Sequence, residues 1–322
     1  MSVFLQSHML EMLCAVLLDL LLGDPPHFPH PIRVMGRLIA FEEGLLRRFA
    51  LTRSSVRIGG GMLAVANILL TLVLSASLLS LLRPCPVLFH AVHVYLLYTC
   101  LAARCLRDEA MKIERALQQG LAEARQRLSW IVGRDTMQLD EPEIIRATVE
   151  TVAENSADGV IAPMIFGIIG GAPLALTYKM INTMDSMLGY LNEHYRDIGF
   201  LPAKIDDAAN YLPARITGLL ICLAGLGRFP VLQGLKIMFR DRRNHKSPNC
   251  GYPESAVAGL LGVQLGGANV YFGEVVDKPT LGDALRPLER LDIARSCEMM
   301  FRAEFLALAL YLLAAVPGNT LI

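Results

Sequence analysis

Two long apolar runs, residues 59–82 and 87–103, stand out along the chain, and only Arg83, Pro84, Cys85 and Pro86 separate them. Each approaches the roughly 20 residues that an α-helix needs to cross the hydrocarbon core, so the pattern predicts a transmembrane hairpin. Arg33, Arg37, Arg47, Arg48, Arg53 and Arg57 precede it, and Arg104, Arg107, Lys112, Arg115, Arg125, Arg127, Arg134 and Arg146 follow it. Against Arg83 alone in the turn, this asymmetry puts both flanks in the cytoplasm. Further apolar stretches at 160–178, 216–232, 255–267 and 303–316 are short, or broken by residues such as Pro163, Gly170, Gly171 and Pro173. Irregular backbone at membrane depth has to be shielded from lipid and lines cavities. The expected fold is all-α: a polytopic integral membrane helical protein with interrupted or re-entrant helices. It forms one membrane-embedded domain over 1–322, with its main cytoplasmic helical region at 104–159.

Within that region, 104–130 sets Leu106, Ala110, Ile113, Leu117, Leu121 and Leu128 among charged residues at helical spacing, which predicts an amphipathic helix pair. Asp140, Pro142 and Glu143 form a helix start with a capping box. The 53% hydrophobic content exceeds the roughly 45–50% of soluble chains, in keeping with a membrane protein. Thirty basic and thirty acidic residues cancel, so the charge balance calls for no nucleic acid. The seven cysteines show no C-x-x-C pairing, which argues against a disulfide frame or zinc site and leaves them as packing residues. The apolar N-terminus lacks a basic leader and contains Glu11 and Asp19, so it is expected to remain as a partly polar membrane helix. His90 and His93, inside an apolar run, read as packed residues. No P-loop pattern occurs.

Candidate chemistry concentrates between residues 150 and 215. Glu150, Glu154 and Asp158 follow one another at i, i+4 and i+8, with Asn155 alongside, and share a face if the helix persists. The plain alternative is an exposed face on which Arg146 pairs with Glu150. Position favours a site: Asp158 leads into an apolar run, where three carboxylates repel one another unless a cation such as Mg²⁺ binds them. Lys179, Asn182, Asp185 and Gly189 form one stripe opposite Ile181, Met184, Leu188 and Leu191. Helix packing through small residues would explain the glycine but not the charges. Asp206, Asp207 and Asn210, followed by Arg215, repeat the pattern, and such carboxylates, amides and cations are the groups that hold Mg²⁺ and phosphate. Three polar loops complete the set: the proline-rich 23–33 with His27 and His30, Arg134-Asp135, and 241–249 with His245.

At these positions the chain resembles the CbiB/CobD family of cobalamin biosynthesis, the adenosylcobinamide-phosphate synthases. The strings that carry the resemblance run in one order over nearly the whole chain. They begin with D-L-L-L-G-D-P at 19–25, H-P-I-R-V-M-G at 30–36, R-I-G-G-G at 57–61 and S-W-I-V-G-R-D-T at 129–136. V-E-T-V-A-E-N at 149–155, D-G-V-I-A-P at 158–163, G-G-A-P at 170–173 and Y-K-M-I-N-T-M-D-S-M-L-G-Y at 178–190 follow. D-D-A-A-N-Y-L-P-A-R at 206–215, R-D-R-R-N-H-K-S-P-N at 240–249 and Y-F-G-E at 271–274 complete them.

The resemblance implies an ATP- and Mg²⁺-dependent carbon–nitrogen ligase of the cell inner membrane, with its active site facing the cytoplasm. Such an enzyme joins adenosylcobyric acid to (R)-1-aminopropan-2-ol O-phosphate, or to free aminopropanol. The corrinoid, the amine, membrane lipid and later membrane enzymes of cobalamin assembly are the implied partners. On residue type, metal binding falls to Glu150, Glu154, Asn155, Asp158, Asp206, Asp207 and Asn210. Nucleotide handling falls to Arg134, Asp135, Asn182 and Arg215, and catalysis to Lys179 and Asp185 with His30 or His245 as base. Read from the residues alone, a Mg²⁺-dependent membrane prenyl- or phosphoalcohol transferase, and a non-enzymatic transporter or signalling protein, stay open.

Overall fold

The computed structural model describes residues 2–25, 28–50, 52–190, 192–271 and 274–315. The helices of its first half are α1 (Ser2–Leu22), α2 (Pro31–Phe49), α3 (Arg53–Leu82), α4 (Pro86–Tyr98), α5 (Ala103–Gln119), α6 (Leu121–Leu128) and α7 (Glu141–Asn155). A π-helical segment, Ser156–Ile161, leads into α8 (Ala162–Leu188), followed by α9 (Phe200–Ala209), α10 (Tyr211–Ala224), α11 (Val231–Asp241) and α12 (Gly251–Leu261). The antiparallel strands β1 (Leu265–Tyr271) and β2 (Glu274–Leu281) and the helix α13 (Leu291–Ala315) complete the order. Three stretches, Arg53–Leu82, Pro86–Gln119 and Glu141–Leu188, are long and apolar enough to cross a membrane. The molecule is an all-α membrane protein, and the β1–β2 hairpin is an addition that the apolar run 255–267 did not foretell.

Two compact units divide the chain. One comprises Met1–Ala102, Ala162–Asn210 and Leu312–Ile322, the other Ala103–Ile161 and Tyr211–Tyr311. In the first unit α3 shows what a lipid solvent selects. Its face with Gly60, Ala64, Asn67, Thr71 and Ser75 is buried against its neighbours, while Met62, Val65, Leu69, Val73 and Leu81 are exposed. Small and polar residues point inward because hydrocarbon offers leucine as good an environment as a protein interior does. At Gly60 a Cβ would lie 2.1 Å from the Ile198 carbonyl oxygen, so glycine is what lets the two backbones approach.

The interruption expected from Gly170, Gly171 and Pro173 is present inside α8. Gly171 takes φ +66°, which breaks the helical course. In the second unit Asp140 accepts from the Glu143 N–H at 2.9 Å, and Glu143 returns the bond to the Asp140 N–H, completing the capping box of α7. Gly120, at φ +144°, separates α5 from α6 and accounts for the helix pair.

Candidate active site

In the second unit the loop before α12 folds onto itself. Ser247 donates its N–H to His245 Nδ1 at 3.0 Å, and its Oγ accepts from the Asn249 N–H at 3.2 Å. Cys250 and Glu254 are thereby carried onto the first turn of α12, where the Cys250 thiol donates to Glu154 Oε1 at 3.1 Å. His245 Nε2 lies 3.9 Å from Glu254 Oε1, and Glu254 is buried. Burial first, and then the charges of Glu154, Glu254 and Asp158, push the thiol well above its ordinary pKa. Cys250 is therefore a neutral donor rather than a nucleophile, and it is not the inert packing residue expected. His245, Cys250 and Glu254 bring their ligand atoms within 4.8 Å of one another and could hold a metal ion, with Glu154 bonded to the thiol of that group. Arg215 borders the same loop: it donates to Asn249 Oδ1 at 3.0 Å and to the Pro248 carbonyl at 3.3 Å. Its guanidinium stacks on Tyr211 at 3.5 Å and Tyr252 at 4.5 Å.

His245 does not suit the role of general base. A ring whose Nδ1 accepts from a backbone N–H carries its proton on Nε2 when neutral, so it donates there. The alternative of an exposed face with an Arg146–Glu150 pair is not what forms. Arg146 does not pair with Glu150; it reaches the carbonyls of Gly266 and Ala268, the latter at 3.1 Å, and Asn269 Oδ1. Glu150 instead meets Arg134 at 2.6 Å and accepts the Gly266 N–H at 2.8 Å. The second link from Arg134, 2.6 Å to Asn269 Oδ1, ties the same carboxylate to the hairpin. The π-helical segment begins at Ser156, so Asp158 leaves the α-helical register that would have set it squarely above Glu154. Asn155 turns its amide back to the Thr151 carbonyl at 2.9 Å, and the Asp135 backbone N–H donates to the Val270 carbonyl at 2.8 Å.

A separate polar centre lies in the first unit. Tyr178 donates to Asn210 Oδ1 at 2.9 Å, and Asn210 Nδ2 reaches both oxygens of Asp206, at 3.1 and 3.0 Å. Lys179 donates to Asn182 Oδ1 at 3.2 Å. Burial, opposed by hydrogen bonds from Asn210 and Asn182, raises the Asp206 carboxyl to about 6. Asp207, one residue on, is held by Lys204 at 2.9 Å on a more open face. Asp185 sits one turn before Gly189, where a Cβ would collide with the Asp185 side chain at 2.1 Å. Glycine there leaves the carboxylate its room.

The loop before α2 holds His30. Its Nε2 is 3.2 Å from Asp24 Oδ1, while Nδ1 is buried with no hydrogen-bond partner among the described residues. Tyr98 and Tyr95 anchor the loop through the carbonyls of Gly23 and Pro29. Arg33 braces it through the Pro25 carbonyl at 3.1 Å. His27 lies outside the described residues.

The CobD/CbiB protein family model matches residues 12–300. The chain belongs to the CobD/CbiB family. It is 50% identical over 301 residues to the cobalamin biosynthesis protein CobD of Klebsiella pneumoniae, covering 92% of this chain and 94% of that protein. Over 303 residues it is 50% identical to CbiB of Salmonella arizonae, with 93% and 95% covered. CobD of Clostridium tetani is 45% identical over 313 residues, with 97% and 99% covered. No solved structure matches the chain.

In this CobD/CbiB chain the structure adds residues that sequence reasoning passed over. Glu254 is one; its signal was a carboxylate opening an apolar run, the same logic that singled out Asp158. Glu11 is another. His90 Nδ1 lies 2.6 Å from Glu11 Oε1, and His8 Nδ1 and His93 Nδ1 lie 3.1 and 2.8 Å from Oε2. His93 is out of line for a hydrogen bond to that oxygen. His90 and His93 therefore belong to a polar cluster and are not merely packed. The cluster meets the α8 break, because His8 Nε2 lies 3.1 Å from the Gly167 carbonyl oxygen and His93 Nε2 accepts the Ala172 N–H at 2.9 Å.

Proposed function

We propose that this protein is an enzyme of cobalamin biosynthesis that forms an amide bond at the expense of ATP. It joins adenosylcobyric acid to (R)-1-aminopropan-2-ol O-phosphate, or to the free amino alcohol, at the cytoplasmic face of the inner membrane. The observation that carries this reading is the match over more than nine-tenths of the chain to proteins named for cobalamin biosynthesis. A carboxylate is a poor electrophile, so the acid is first phosphorylated by ATP and the amine then displaces phosphate from the acyl phosphate. Glu154, which accepts from the Cys250 thiol, and Glu254, beside His245, are the carboxylates we assign to Mg²⁺, with Asp158 from the same stretch as Glu154. Bound there, Mg²⁺ would neutralise the charge of the nucleotide phosphates. Arg215, pre-positioned between two tyrosines, offers a fixed positive charge to the same phosphates. Lys179, Asn182, Asp185 and Asp206 form a separate polar set within the first unit.

Glu154→Gln and Glu254→Gln test the assignment. Each is expected to lower ADP formation at least a hundredfold while leaving the helical circular dichroism unchanged. Unaltered turnover in both variants removes these carboxylates from the site. Turnover that depends on a polyprenyl diphosphate and ignores ATP replaces the ligase by a transferase.

A further inference from the structure

We infer that His8, Glu11 and His90 hold a divalent transition-metal ion of the zinc class. The site lies wholly within the first unit and is independent of the ligase reading. His8 and Glu11 stand one turn apart on α1, and the carboxylate is buried. Three imidazoles gather on it: His90 Nδ1 at 2.6 Å from Oε1, with His93 Nδ1 at 2.8 Å and His8 Nδ1 at 3.1 Å from Oε2. An ionisable group kept among apolar helices marks a functional site by default.

The contacts of His8 show why a cation belongs here. A carbonyl oxygen only accepts, so the 3.1 Å contact with Gly167 is made by a proton on His8 Nε2. The neutral ring then has a lone pair at Nδ1, and two acceptors, Nδ1 and Glu11 Oε2, stand at hydrogen-bond distance. Such a pair is stable only around a shared positive species, a metal ion or an extra proton. A histidine that binds metal through one nitrogen and donates the other N–H to a backbone carbonyl is the usual arrangement of metal sites. The 3.1 Å separation is also close to the roughly 3.3 Å between neighbouring ligands of a tetrahedral zinc with bonds of about 2.0–2.1 Å.

The third ligand follows from the other two rings. The ligand atoms of His8, Glu11 and His93 lie within 4.8 Å of one another. His93 Nε2, however, accepts the Ala172 N–H, which leaves the proton of the neutral ring on Nδ1, so His93 flanks the carboxylate without ligating. His90 meets the cluster through Nδ1 alone among the described residues, so its proton can sit on Nε2 and leave Nδ1 to the metal. Its side chain is 46% exposed, which gives an ion a way in. Two imidazoles and a carboxylate, with water in the fourth position, are an established zinc donor set. An ion held by them ties α1 to α4 beside the α8 break.

Zinc binding tests the assignment. Full-length wild type, His8→Gln, His90→Gln and Cys250→Ser in lipid nanodiscs would be stripped with a chelator, equilibrated with chelator-buffered Zn²⁺ and desalted, with retained zinc counted per chain and the melting midpoint recorded. Wild type and Cys250→Ser are expected to retain about one equivalent more than either histidine variant and to melt higher with zinc than without. His8→Gln and His90→Gln should bind that ion more weakly by roughly tenfold or more, with helical circular dichroism unchanged. Co²⁺ in its place should give ligand-field bands without thiolate charge transfer, which separates this site from the His245, Cys250 and Glu254 group of the second unit. Equal zinc retention in wild type and either histidine variant, or loss of the ion in Cys250→Ser, overturns the site. Wild type of native helicity that retains no zinc overturns it too, and makes the shared positive species a proton.

Discussion

Replacing Glu150 with alanine separates a structural role for this carboxylate from the metal-binding role that its spacing suggested. Glu150 Oε2 and Arg134 Nη2 lie 2.6 Å apart with side chains only 6% and 9% exposed, and Glu150 Oε1 accepts the Gly266 N–H. Removing the carboxylate leaves a guanidinium buried without its counter-charge, which destabilises by about 3–5 kcal/mol. The orphaned Gly266 N–H is part of that sum. At roughly 2–4 °C per kcal/mol for larger domains, the melting midpoint falls on the order of 10 °C. The assay is thermal unfolding of detergent-solubilised wild type, Glu150→Ala and the double variant Arg134→Met/Glu150→Leu, followed by circular dichroism with and without Mg²⁺. The double variant is expected to recover most of the loss, because exchanging a buried pair for apolar groups removes both desolvation penalties. A midpoint within about 2 °C of wild type, or a shift seen only when Mg²⁺ is present, refutes the structural role.

Two further perturbations probe other elements. Gly171→Ala places a Cβ at φ +66° and 2.6 Å from His93 Nε2; we expect a loss of about 1–3 kcal/mol from backbone strain alone, and a melting midpoint equal to wild type contradicts the described α8 break. Asp241 is held below the ordinary carboxylate range chiefly by its hydrogen bonds with Arg240, aided by the Gly282 N–H. A depressed carboxyl stabilises the fold above its unfolded pKa, about 3.9, and that contribution is lost as pH falls through the lower folded value. Asp241→Asn should therefore melt lower than wild type at pH 7 and converge with it toward pH 3; a constant difference across that range counts against the linkage.

What the chain discloses at the level of sequence follows how far apart interacting residues lie. The α3–α4 hairpin, the Asp140 capping box and the Gly170–Gly171 break rest on neighbours within a turn or two, and the sequence shows all three. The acidic residues near 150–158 stand out in the sequence because burying charge in an apolar segment is unfavourable wherever it occurs. Their partners were not legible. Glu150 meets Gly266 across 116 residues, and Glu11 meets His90 across 79, separations that no periodicity encodes. The same limit applies to the Arg146–Glu150 pair, the alternative that i,i+4 spacing offers: the hairpin carbonyls and the Asn269 amide claim the guanidinium instead. The contacts of His30 with Asp24 and of His245 with the Ser247 N–H likewise depend on how their loops fold.

The central claim is ATP-driven amide formation, and one end-point reaction tests it most directly. Purified protein in lipid nanodiscs would be supplied with Mg-ATP, adenosylcobyric acid and aminopropanol phosphate, with the corrinoid read by mass spectrometry and the nucleotide by chromatography. The account predicts a corrinoid heavier by the amine less one water, formed one for one with ADP and absent when either ATP or Mg²⁺ is withheld. Folded protein that leaves both the corrinoid and ATP unchanged contradicts it.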